Sequence, residues 1–289
     1  MWIIAQIFIN AIIAGSVYAL VASGLTFIYA TSRIFHLAHG VVILFGAYIF
    51  HFVWVEQGLS PALGVLFSIL GSVAIGLLMN ELVYEQQRKR HAKRLAYLIS
   101  TIALLMLGTS SIILIFNTSL KSFNIQTTVY RFDQLNITLM QIILIVISCF
   151  LLLILSAVVK YTKFGKAMRA TSDNDEVASI MGINTRQIRR LSFGIGSLLA
   201  AVAGILIGLE FNIDPNMGVY LAIKGFTAMV IGGVGSIGGA IFGAFLVGFF
   251  EQIAVWYFGA GWKNSIAFVL LFFFLLLRPR GIFGLKRFR

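Results

Sequence analysis

The sequence has one cysteine, three prolines and few charged residues, since Asp, Glu, Lys and Arg make up 11% of 289 positions. The single cysteine, Cys149, excludes a disulfide framework and a cysteine-ligated metal cluster, and its apolar surroundings predict a small buried side chain. Three prolines exclude a proline-rich linker architecture. With 60% hydrophobic residues, the composition also excludes a soluble globular domain, in which about 25% of residues are charged.

Long uncharged runs account for most of the chain. A transmembrane helix needs about 20 apolar residues, so this length supplies about eight or nine spans and no soluble domain. The first run, 3–30, has no basic flank and no small-residue cleavage site, which predicts a retained helix and not a signal peptide. We therefore expect one all-α, polytopic membrane domain over 1–289, with spans at roughly 3–30, 37–55, 62–84, 95–117, 138–159, 191–210, 222–257 and 262–277.

The run at 222–257 is too long for one span at about 1.5 Å per residue. Its centre, Ile231-Gly-Gly-Val-Gly-Ser-Ile-Gly-Gly239, predicts a broken hairpin, because glycines permit unusual backbone angles. Irregular backbone at membrane depth is tolerated where it lines protein or a water-filled path. The spacing Gly235-x-x-x-Gly239-x-x-x-Gly243 equally predicts close helix packing. Both interpretations remain open. A dinucleotide site is not expected, because no strand precedes the glycines.

Basic residues are concentrated in alternate connections between the spans. Of 22 Lys and Arg residues, 18 lie at Arg33 and within 88–94, 160–190 and 278–289. By the positive-inside rule these connections face the cytoplasm, with the N-terminus outside and the C-terminus cytoplasmic. This topology, and not nucleic-acid binding, explains the net charge of +12. The remaining four basic residues are assigned to the outer side: Lys121, Arg131, Lys224 and Lys263.

The connection at 160–190 is long enough to hold structure. Alanines and other apolar residues recur near helical spacing between Gly165 and Gly182. Thr171 or Ser172 can cap a helix that begins at the acidic turn 173–176. We expect two short helices along the membrane surface. A solvated basic loop that serves only topology remains the alternative.

Four motifs in order resemble the permease subunit of branched-chain amino acid ABC importers, the LivH type. The resemblance runs nearly end to end and includes Arg278-Pro-Arg-Gly-Ile-Phe-Gly284. There are two departures: His36-Leu37 stands where the family usually has Asn, and Glu85-Gln-Gln-Arg88 replaces its Arg-Pro-Leu-Arg. The four motifs are Gly15-Ser-Val-Tyr-Ala-Leu20, Ala38-His39-Gly40, the pair Phe164-Gly-Lys-Ala-Met-Arg-Ala170 and Val177-Ala-Ser-Ile-Met-Gly-Ile-Asn184, and Lys224-Gly-Phe-Thr-Ala228 with Gly232-Gly-Val-Gly-Ser-Ile-Gly-Gly-Ala240.

The resemblance implies one membrane half of a transporter in a bacterial plasma (inner) membrane. Its implied partners are a second, LivM-type permease, an external solute-binding protein, and two cytoplasmic ATPase subunits that bind ATP and magnesium. The sequence contains no Gly-x-x-x-x-Gly-Lys-Ser/Thr, so no P-loop and no cofactor of its own are expected. The implied ATPase-coupling residues are Gly165, Ala167, Arg169, Ala170, Asp173, Asp175, Glu176, Ala178, Gly182 and Ile183.

Polar atoms and glycines within the spans are the candidates for a translocation path. Hydroxyls there are equally explained by helix packing, and His39 by an interfacial hydrogen bond. No metal site is expected, because the histidines at 36, 39 and 51 lack carboxylate partners. The candidate path residues are Tyr18, Ser23, His39, Gly40, Thr101, Thr227, Gly232, Gly233 and Gly235.

Acidic residues weigh against an ion-coupled secondary transporter or channel, which is the alternative from another class. Such proteins place carboxylates within spans, whereas here the carboxylates are expected near span ends or in loops: Glu56, Glu81, Glu85, Glu210, Asp214 and Glu251. An enzyme is not expected, because hydrolase and metalloprotease motifs are absent from the sequence. We expect import of branched-chain or other neutral amino acids, with urea or short amides as the alternative solutes.

Overall fold

The computed structural model describes residues 2–123, 125, 127–133, 135–278 and 281–284. Basic residues counted above at Arg280, Lys286, Arg287 and Arg289 lie outside the described residues. The helices are α1 (Trp2–Ser32), α2 (His39–His51), α3 (Pro61–Leu78), α4 (Glu85–Lys89), α5 (Arg94–Phe116), α6 (Leu139–Tyr161), α7 (Lys163–Asp173), α8 (Asp175–Ile180), α9 (Thr185–Glu210), α10 (Met217–Gly232), α11 (Ile237–Phe258) and α12 (Ser265–Leu277).

Shorter elements complete the chain. A π-helical turn, Phe52–Glu56, extends α2, and another, Met79–Tyr84, joins α3 to α4. Strands β1 (Val129–Phe132) and β2 (Leu135–Thr138) form an antiparallel hairpin between α5 and α6.

The helices reproduce the predicted spans. Within the described residues, seven helical stretches are long and apolar enough to cross a membrane, and α10 and α12 are shorter apolar helices. The all-α polytopic fold is therefore confirmed. The hairpin at 222–257 is also broken as expected, although the non-helical backbone covers only 233–236 and α11 already begins at Ile237.

Local sequence signals set several helix starts. Ser60 caps α3 by accepting from Leu63 N at 3.4 Å, and Pro61 occupies the first helical turn, where no N–H is needed. Thr138 and Gln141 form a reciprocal capping box at the start of α6. Ser236 accepts from Gly239 N at 3.1 Å and so starts α11 directly after the glycine break.

The core lies around the second half of α1, which packs against α9, α10 and α11. Glycines allow these helices to approach closely. A Cβ on Gly243 would overlap the Ala228 carbonyl, and a Cβ on Gly239 would overlap the carbonyl of Gly232. The packing interpretation is therefore confirmed for Gly239 and Gly243 but not for Gly235, whose Cβ position is open. By contrast, Cys149 lies on an exposed face of α6, so the prediction that it is buried is wrong.

Two ends of the bundle differ in charge. We call the end that carries 33–38, 88–94 and 160–190 the basic end. Contacts across it include an Arg33 hydrogen bond to the Ser172 carbonyl and an Arg88 hydrogen bond to the Ser32 carbonyl. The opposite end carries the β-hairpin and is joined by a β-bridge between Lys121 and Ile213.

Candidate functional site

The 160–190 segment contains the two short helices that the sequence predicts, α7 and α8. The cap of α8 is Asn174, whose Oδ1 accepts from Glu176 N at 3.0 Å and Val177 N at 3.1 Å. The prediction of Thr171 or Ser172 as this cap is wrong. Because α7 continues through Asp173, the Thr171 hydroxyl instead donates to the Ala167 carbonyl within that helix, at 2.9 Å.

Arg189 ties this segment to the rest of the bundle. Its Nε lies 2.9 Å from Glu85 Oε1, and both side chains are almost fully buried. Its Nη1 also donates to Asp175 Oδ1 at 3.0 Å and to Thr185 Oγ1 at 3.1 Å. One guanidinium therefore connects α8 and α9 to the start of α4. Sequence reasoning counted Arg189 only as a topology marker and placed Glu85 at a span end.

An apolar surface, which we call the α8 patch, is exposed at the basic end. It consists of Val177, Ile180 and Met181, which are 54%, 84% and 77% exposed. Their i, i+3, i+4 spacing puts them on one helix face. Gly182, with φ of +83°, follows that face and ends the turn.

The predicted coupling residues divide between this surface and the packing beneath it. Gly165 and Ala178 are buried. Gly165 lies so close to the Val159 backbone that a Cβ there would overlap the Val159 carbonyl. Ala167, Ala170, Asp175 and Ile183 are half-buried, whereas the exposed residues are Arg169, Asp173, Glu176 and Gly182.

A cavity of about 370 Å³ opens near the opposite end, between α1, α6, α9, α10 and the connection from α11 to α12. Its apolar walls include Ile13, Val17 and Leu144. Its polar groups include Tyr18, Gln141, Glu210, Lys224 and Lys263.

A buried polar network lies at the side of this cavity. The Lys224 Nζ is 2.9 Å from Glu251 Oε2 and donates to the Tyr18 hydroxyl at 3.0 Å. The Tyr18 hydroxyl donates to Glu251 Oε1 at 2.9 Å, and Lys263 Nζ lies 3.6 Å from the same oxygen. The side chains of Tyr18, Lys224 and Glu251 are each 5% exposed or less.

Sequence reasoning missed this network. It counted Lys224 among the outer basic residues and placed Glu251 near a span end, whereas the structure buries both side chains within helices, α10 and α11. The reason is that α10 begins at Met217, five residues before the expected boundary at 222, which carries Lys224 into the helix interior. The available signal was the presence of a lysine and a glutamate inside apolar runs, since ionisable residues there are expensive and mark functional sites.

Among the candidate path residues, Tyr18 lines the cavity, and the others lie elsewhere. Gly40 packs against the Gly218 backbone, and the Thr101 hydroxyl accepts from Ala38 N at 3.0 Å. The Thr227 hydroxyl donates to the Ile223 carbonyl at 2.8 Å. Ser23 and His39 are fully buried in the core.

The glycine break packs against the C-terminal segment at 281–284. Gly233 has φ of +112°, and a Cβ there would lie 2.6 Å from Gly284 N. The Phe283 N–H donates to the Gly232 carbonyl at 3.0 Å. Gly235, with φ of +92°, has open space at its Cβ position.

These features define a multi-pass α-helical membrane protein. A cavity opens near one end, and a pair of short helices is held by ion pairs at the other. The family described as branched-chain amino acid transport system permease component matches residues 7–276. The chain belongs to this family.

Relatives from bacteria and archaea match almost the whole chain. The permease protein LivH of Escherichia coli K12 is 33% identical over 98% of this chain and 96% of its own. BraD of Pseudomonas aeruginosa is 33% identical over 96% and 95%. Both are described as parts of high-affinity branched-chain amino acid transport systems. A probable LivH of Methanocaldococcus jannaschii is 31% identical over 95% and 91%.

The fold is also found in a solved structure of low sequence identity. PsaBC from Streptococcus pneumoniae in complex with Fab aligns with a TM-score of 0.50 and 18% identity, covering 92% of this chain and 89% of that one.

Proposed function

We propose that this chain is the permease subunit of an ATP-driven importer that moves branched-chain or other neutral amino acids across a bacterial plasma membrane. The basic end faces the cytoplasm and the N-terminus lies outside. The observation that carries the proposal is the α8 patch. Three exposed apolar side chains, on a helix anchored through Asp175 and Arg189, fit a protein-docking surface.

The docking partner in this proposal is an ATPase subunit, which supplies ATP and magnesium chemistry that this chain does not. Its closure moves α7 and α8 as a rigid body. Arg189 then transmits the displacement to α9 directly and to α4 through Glu85. A second, LivM-type permease completes the membrane domain, and an external binding protein delivers solute at the opposite end.

Reconstitution of the complete importer tests this function. Proteoliposomes containing both permeases and the ATPases, with ATP on the ATPase side and binding protein on the other, should accumulate radiolabelled leucine. Omission of ATP or of the binding protein should abolish accumulation. A sodium or proton gradient should not replace ATP. Leucine uptake driven by an ion gradient without the ATPases would contradict the proposal, and uptake of urea without leucine would change the solute.

A further inference from the structure

We propose that the cavity near the opposite end is a binding site, inside this single chain, for a zwitterionic amino acid with an apolar side chain. The choice of solute rests on the proposed function. The site itself rests on the chemistry of the cavity wall, which combines two lysines, a glutamate and several apolar side chains.

The basic wall can accept a carboxylate. A lysine ammonium has three donor hydrogens, and Lys224 uses two of them on Tyr18 and Glu251. The Lys263 ammonium lies 3.6 Å from Glu251, beyond good hydrogen-bond length, and 4.9 Å from the centre of the Phe211 ring. Its side chain is 35% exposed, so its donor hydrogens are available to the cavity. Two lysines share the charge of Glu251, which leaves this wall with a net positive charge.

The acidic wall lies at the end of α9. Glu210 Oε1 accepts from Gln141 Nε2 at 2.7 Å, which fixes the carboxylate at the cavity surface. A carboxylate in this position can accept a solute ammonium by a charge-assisted hydrogen bond. The amide of Gln141 orients Glu210 without neutralising it.

The space between these walls suits a small amphipathic solute. Its volume of about 370 Å³ lies within the range of roughly 300–1,000 Å³ that is usual for small-molecule pockets, at the lower end that suits a solute as small as leucine. Val17, Leu144, Met217 and Leu221 form the apolar part of the wall. The leucine carboxylate faces Lys263 and Lys224, its ammonium faces Glu210, and its side chain contacts these apolar residues.

Burial of an ion pair in this bundle supports a role in binding. Removing two charges from water costs free energy that a buried pair often fails to recover. Apolar residues at 224 and 251 would serve packing alone. A buried Lys224–Glu251 pair beside an open cavity instead supplies a fixed electrostatic wall for a charged ligand.

Protection of an engineered cysteine measures occupancy directly. In a Cys149→Ser background, Asn264→Cys places a thiol on the cavity wall, and Arg131→Cys places one on the exposed β-hairpin. In the complete importer without binding protein, leucine should slow maleimide labelling of Asn264→Cys at least fivefold and leave Arg131→Cys unchanged. Leucinamide, which lacks the carboxylate, and 4-methylpentanoate, which lacks the ammonium, should each require about tenfold higher concentrations.

Substitutions on each wall, compared with matched controls, test which residues bind the carboxylate and the ammonium of the solute. Lys263→Gln should remove the preference for leucine over leucinamide, whereas Lys121→Gln should keep it, since Lys121 lies at the same end but pairs with Glu56 at 2.9 Å. Glu210→Gln should remove the preference over 4-methylpentanoate. Its control is Asp133→Asn, in the turn of the β-hairpin.

The outcomes separate this inference from the proposed function. An importer that accumulates leucine while leucine fails to protect Asn264→Cys overturns the binding site and leaves the proposed function intact. The same holds if Lys263→Gln and Glu210→Gln behave like their controls. An importer that accumulates no neutral amino acid overturns the proposed function first.

Discussion

Arg189 and Glu85 form a buried ion pair, Nε to Oε1 at 2.9 Å, that joins the start of α9 to the start of α4. The same guanidinium contacts Asp175 at the start of α8. The Arg189 side chain therefore links α8 and α9 to α4, in addition to the Arg33 contact with Ser172. This relationship makes the basic end a connected structure and not a set of separate loops.

Loss of this pair should destabilise the protein. Arg189→Leu removes the nearer cation from the buried Glu85 and leaves Arg88, whose Nε lies 3.6 Å from Glu85 Oε1, so the cost should be at most the about 3–5 kcal/mol of a broken buried pair. We expect a lower melting temperature in detergent, measured by fluorescence-detected gel filtration, and partial recovery in the double variant Arg189→Leu/Glu85→Leu. Arg186→Gln is the control, because Arg186 contacts Glu81 at 2.5 Å but is 55% exposed, and it should melt close to the unchanged protein. Equal losses for the two arginine variants would contradict this role.

Helix packing at the glycine seam gives a second prediction. Gly243→Leu should sharply reduce the yield of folded protein, because any Cβ there overlaps the Ala228 carbonyl. Gly238→Leu lies one turn earlier on α11, where the Cβ position is open, and should give a normal yield. The measurement is the monodisperse peak after membrane extraction. Comparable yields from both variants would show that the seam tolerates side chains.

Orientation gives a third prediction. In a Cys149→Ser background, Arg131→Cys should react with an impermeant maleimide in intact cells, and Lys89→Cys should react only after the cells are lysed. The physical basis is the excess of basic residues in the connections at 88–94 and 160–190. Labelling of Lys89→Cys alone in intact cells would invert the topology.

Most of the spans were predictable because their apolar runs are long enough to cross a membrane. Glycine spacing likewise predicted the close approach of α10 and α11. Helix boundaries were harder to predict, because the amino-acid composition changes little between the residues inside a helix and those just beyond its expected end. The five-residue shift at the start of α10 was enough to hide Lys224.

The partners of charged side chains were not predictable from one sequence. Arg189 and Glu85 are 104 positions apart, and Lys224 and Tyr18 are 206 positions apart. Their pairing depends on how helices from distant parts of the chain pack. A count of charges per connection treats such residues as topology signals and gives no information on contacts.

The α8 patch is the proposed docking surface for the ATPase, and a charge placed on it tests that role. Ile180→Asp places a charge on a side chain that is 84% exposed in the isolated permease, so folding should be unaffected. Burying an unpaired charge at an interface costs several kcal/mol, which weakens docking by a factor of a hundred or more. Ser179→Asp, an exposed position on the same helix, is the control.

The measurement is solute-stimulated ATP hydrolysis by the reconstituted importer, made with each variant. Ile180→Asp should yield a folded permease pair with little associated ATPase and no solute-stimulated hydrolysis, while Ser179→Asp should retain most of both. Full ATPase association and full stimulation with Ile180→Asp would contradict the assignment of the α8 patch as the docking surface.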